Sequence, residues 1–83
     1  SMANVVDSVV FFFGQQGYLI ANMDSGATTY TGFENRLGEW YIMRAVITGA
    51  ATVYTYAKGS SGYAAAYVAR ASQTYAIPSV CFA

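Results

Sequence analysis

From Glu39 to Thr48 the chain alternates between two sets of mainly apolar residues. Trp40, Ile42, Arg44 and Val46 fall on one side of an extended backbone, and Tyr41, Met43, Ala45 and Ile47 on the other. Gly49-Ala50-Ala51 supplies a turn. Thr52 to Lys58 then runs back with Val53, Thr55 and Ala57 opposed to Tyr54, Tyr56 and Lys58. Strand, short glycine-bearing turn, strand predicts a β-hairpin. Neither side is plainly polar, so the pattern predicts apolar contact on both faces.

The flanking segments continue the β pattern. Eight glycines punctuate the chain, and between them lie Val, Ile, Thr, Tyr, Phe and Trp, which suit a pleated, half-buried surface. Val9 to Phe13, a Gln15-Gln16 turn and Tyr18 to Met23 read as a first hairpin. Its alternation is imperfect, which leaves two readings: strands covered on both faces, or a helical start. Gly59-Ser60-Ser61-Gly62 is a loop, and the alanine-rich stretch Tyr63 to Ala71 admits one short helix. Tyr75, Ile77, Val80 and Phe82 give the tail from Ser72 a strand-like composition, with Pro78 at an edge or bend. The expected fold is all-β. It is a small antiparallel meander of five or six strands forming a sandwich or partial barrel, with residues 1–83 as a single small domain and one short helix near 63–71. Ser1 ahead of Met2 reads as a cloning scar.

Composition narrows the function. The chain has one cysteine and no histidine, so neither an internal disulfide nor a His/Cys zinc site is expected, and no cofactor is implied. Only 10% of residues are charged, and the formal net charge is zero. A compact monomer of this size exposes about 4,800 Å², so charges are spaced at roughly one per 600 Å². Apolar surface on that scale marks interfaces, and a homo-oligomer or another protein subunit is the expected partner. Lys58, Arg36, Arg44 and Arg70 are scattered, which argues against nucleic acid. The run Val9–Phe13 is far short of the ~20 apolar residues that cross a membrane, and no basic residue precedes it as a signal peptide requires.

Candidate chemistry is sparse. Asp24-Ser25-Gly26-Ala27-Thr28 resembles the Asp-Ser/Thr-Gly-Ala loop of retroviral-type aspartic proteases, all-β dimers in which two aspartates share a proton. Such enzymes carry a second glycine-containing motif near the C-terminus, whereas Ile77 to Phe82 has no glycine, and Asp-Ser-Gly is ordinary turn chemistry. Glu34 and Glu39 flank a turn with nothing to fix their separation as a glycosidase pair. Serines lack a histidine base, and Cys81 beside Phe82 reads as a small buried hydrophobe. No catalytic residue and no enzymatic activity are assigned. The aromatic set Trp40, Tyr41, Tyr54, Tyr56, Tyr63, Tyr67 and Tyr75 offers three roles: cross-strand packing, a protein interface, or a platform for a glycan.

Three stretches, Gly38-Glu39-Trp40-Tyr41-Ile42-Met43-Arg44, Tyr54 to Tyr63 and Arg70-Ala71-Ser72-Gln73-Thr74-Tyr75, resemble small β-rich proteins encoded by tailed bacteriophages. The resemblance spans residues 38–75. It implies a structural or accessory role on a virion or in the host cytoplasm, with no functional residues to carry over.

Overall fold

The computed structural model describes residues 17–83. Its spine is the central hairpin. β3 (Trp40–Thr48) pairs antiparallel with β4 (Ala51–Gly59) without interruption from Trp40↔Gly59 to Thr48↔Ala51. The turn is two residues long, one fewer than the sequence suggested. Gly49 has φ 62° and no non-glycine residue among those described has positive φ, so the turn has the left-handed first position of a type II′ hairpin. β1 (Leu19–Met23) and β2 (Thr28–Glu34) precede it. β2 runs in register with β3 from Thr28↔Val46 to Glu34↔Trp40, and β1 pairs β2 with an irregularity between Ile20 and Asn22.

The sheet order β1-β2-β3-β4 is an antiparallel meander, so the fold is small and all-β as expected. β1 and β4 do not pair, and a short helix rather than a second sheet lies on each face. The described residues hold four strands where five or six were expected. The Val9–Phe13 strand lies outside the described residues, and the tail is not a strand. It makes one bridge, Tyr56↔Ala76, and then turns into a helix. Pro78 is the reason: at the first helical position its missing N–H costs no hydrogen bond, and its φ is already helical.

The alternation read from β3 divides the core in two. On one face Trp40, Ile42 and Ala57 pack under α1 (Tyr63–Val68) through Tyr63 and Ala66, with Tyr30, Tyr67 and Tyr75 around them. The expected helix over 63–71 is this α1, followed by a 3₁₀ turn at Arg70–Ser72. On the other face Tyr18, Tyr41 and Tyr56 cluster with Phe33, Met43, Cys81 and Phe82, the last two brought by α2 (Pro78–Cys81). Ile42 is fully buried; a side chain of this kind contributes about 1.5–3 kcal/mol on burial.

Two glycines do not punctuate; they make space. Gly32 sits inside β2, where a Cβ would overlap the Tyr63 ring and hydroxyl, and Gly59 ends β4 directly under the Trp40 indole. Neither has a positive φ. Each is required by an aromatic side chain packed against bare backbone.

Candidate functional site

The aromatic candidates divide by environment. Trp40, Tyr41 and Tyr56 are buried, so they are core and not an open platform. Tyr41 stacks on Phe33 at 4.5 Å between ring centroids and meets Tyr18 and Phe82 edge-on. Tyr67 and Tyr75 are half-buried against α1's side of the sheet, where each hydroxyl donates to a backbone carbonyl, Tyr67 to Tyr30 and Tyr75 to Arg70. Tyr54 alone of the six principal candidates is exposed, at 48%. Burial pushes the Tyr41, Tyr63 and Tyr75 phenols up to about 12, with neighbouring phenols adding to it. The Cys81 thiol is also raised by burial, against a smaller opposing pull from Lys58. That keeps it protonated, as expected of a packing residue.

The polar candidates are structural or far apart. Asp24-Ser25-Gly26 is the β1–β2 turn. The Asp24 carboxylate accepts the Tyr30 backbone N–H at 2.6 Å and the Arg70 guanidinium at 3.0 Å. Arg70 in turn lies 4.4 Å from the Tyr67 ring centroid and donates to the Tyr67 carbonyl, so this aspartate ties a turn to the end of α1. Glu34 is the cross-strand partner of Trp40 and adds to the rise of the Tyr63 phenol, whereas Glu39 adds to that of Tyr18. The two carboxylates thus act on phenols of different core clusters. Among the described residues no three His, Cys, Asp or Glu side chains group to hold a metal, and no helix is long and apolar enough to cross a membrane.

Sequence reasoning missed a cleft of about 290 Å³ at the end of the sheet where β3 begins and β4 finishes. Tyr18, Glu39, Trp40, Lys58, Gly59, Ser60 and Phe82 line it. Its geometry follows from the loops. Asn35 Oδ1 accepts the Leu37 and Glu39 N–H groups while its Nδ2 donates to Glu39 Oε1 at 2.7 Å, which fixes the carboxylate at the rim. The Trp40 indole N–H donates to the Ser61 carbonyl at 2.7 Å, holding the Gly59–Gly62 loop against the ring. The Lys58 ammonium stands 5.9 Å above the Phe82 ring centroid. Burial raises the Tyr18 phenol, and the Glu39 charge adds to it.

A second surface is apolar. β1 is exposed along its whole length, with Leu19, Ile20 and Met23 all more than half exposed. Among the described residues no strand pairs with its outer edge. At the far end of the sheet Ile47, Val53 and Tyr54 are also exposed. Comparison with protein-family models, curated proteins and solved structures returns no match to this chain.

Proposed function

We propose that this chain is a non-enzymatic assembly module that pairs with a second copy of itself through β1. The carrying observation is the β1 edge, Leu19-Ile20-Ala21-Asn22-Met23, five exposed residues without charge or proline. Exposed edges present unpaired N–H and C=O groups, and soluble proteins usually blunt them with lysine, proline or a cover. Here the irregularity between Ile20 and Asn22 is the only such device on the strand. Two β1 strands meeting antiparallel about a two-fold axis bring no like charges together, and the self-complementary arrangement closes the assembly as a dimer. The low charge of the whole chain supports the same reading. A virion or host-cytoplasm setting, as in the phage proteins it resembles, is the proposed context.

Light scattering on the eluting protein tests the reading. The expected mass is twice 8.9 kDa, falling to the single-chain value in Met23→Lys, which places an ammonium on the edge without touching the core. A wild-type monomer at tens of micromolar, or a dimer unaffected by Met23→Lys, overturns it.

A further inference from the structure

We infer that the cleft at the sheet end binds a single sugar ring, an activity separate from self-association. Size sets the first limit. At about 290 Å³ the cleft falls just under the range of ligand pockets, roughly 300–1,000 Å³, which suits one ring and not an extended chain. The walls set the second. Half-buried Phe82 presents aromatic carbon, with only the edges of the buried Tyr18 and Trp40 reaching the cleft, and a pyranose has a C–H face that packs on such a ring while its rim stays polar.

The polar groups decide the class. Glu39 and Lys58 line one opening yet do not pair with each other, since Asp24–Arg70 is the only ion pair among the described residues. A carboxylate only accepts hydrogen bonds and an ammonium only donates them. A hydroxyl does both, so neighbouring hydroxyls on a ring satisfy Glu39 and Lys58 together. A cationic ligand meets Lys58, an anionic one meets Glu39, and a hydrocarbon leaves both groups desolvated without a partner. Asn35 already holds Glu39 Oε1, which orients the other carboxylate oxygen in advance, and Ser60 adds a hydroxyl.

Trp40 is the chain's single tryptophan, so its fluorescence reports on the cleft directly. Methyl pyranosides of glucose, galactose, mannose and N-acetylglucosamine are titrated to about 100 mM, enough to saturate a millimolar site. The same titration is run with glycine and leucine, zwitterions that also satisfy both charges. The expected result is a saturable change with at least one sugar and none with the amino acids. Lys58→Ala and Glu39→Gln are each expected to weaken it about tenfold or more, as loss of a hydrogen bond to a charged group does. Thermal midpoints should be unchanged in both variants. No saturable change with any of the four sugars, equal affinity in both variants, or binding of the amino acids in place of sugars overturns the inference. The titration is repeated on Met23→Lys, whose cleft is intact, so failure here is read separately from failure of the β1 dimer.

Discussion

Gly32 and Gly59 carry more of the packing than any pattern of hydrophobic residues suggests. A methyl group at position 32 overlaps the Tyr63 hydroxyl and the ring edge beside it, and one at 59 presses into the Trp40 indole. Overpacking of this kind costs about 1–3 kcal/mol, a large share of the stability of a small domain. Gly32→Ala is expected to lower the unfolding free energy by that amount, read as a lower urea midpoint with an unchanged slope. An unchanged midpoint would place the Tyr63 ring elsewhere. Nothing in the sequence separates these two glycines from those in turns, because what demands them is an aromatic side chain brought across by the fold. The same holds for the tyrosines. Alternation assigned Trp40 and Tyr41 to opposite faces and pointed to contact on both, yet could not say that Tyr54 would be left open.

Local periodicity made the β3–β4 hairpin readable, since its two faces and its turn lie within one short stretch of chain. The β2–β3 connection shows how a loop is fixed by one side chain. Asn35 receives two backbone N–H groups and donates to Glu39, while its own carbonyl accepts from Gly38. Removing the side chain in Asn35→Ala leaves those groups to water and is expected to cost about 0.5–1.5 kcal/mol per net bond lost. It should also loosen Glu39 at the cleft rim, so amide exchange at Leu37 and Glu39 should quicken together. Unchanged exchange at both would show the loop holds without Asn35. The cleft itself was invisible in the sequence for a plain reason. Its walls come from four separated places, Tyr18, Glu39-Trp40, Lys58–Ser60 and Phe82, and no spacing rule joins them. The tail was misread because Tyr75, Ile77, Val80 and Phe82 have strand composition, whereas Pro78 starts a helix and only Ala76 bridges to the sheet.

For the whole molecule the buried phenols set an alkaline limit. Tyr41, Tyr63 and Tyr75 rise from 10.0 to about 12 on folding, chiefly because burial penalises the phenolate. A raised folded value means the native state favours the protonated form, so its contribution is complete below pH 10 and is lost as pH climbs towards 12. Circular dichroism and tyrosinate absorbance followed together should fall and rise in step across that window. Tyrosines that all ionise near pH 10 with the β signal intact would contradict this.

The segment between the two helices passes from one side of the sheet to the other around β4, and at Ala76 it is fastened to Tyr56 by hydrogen bonds of 2.7 and 2.9 Å. That crossing acts as a stopper on the β4 rim. An added neighbour is thereby kept from the middle of β4, whereas β1 is exposed along its whole length. Under the proposed β1 pairing, what could otherwise seed a fibre would close as a self-limiting pair.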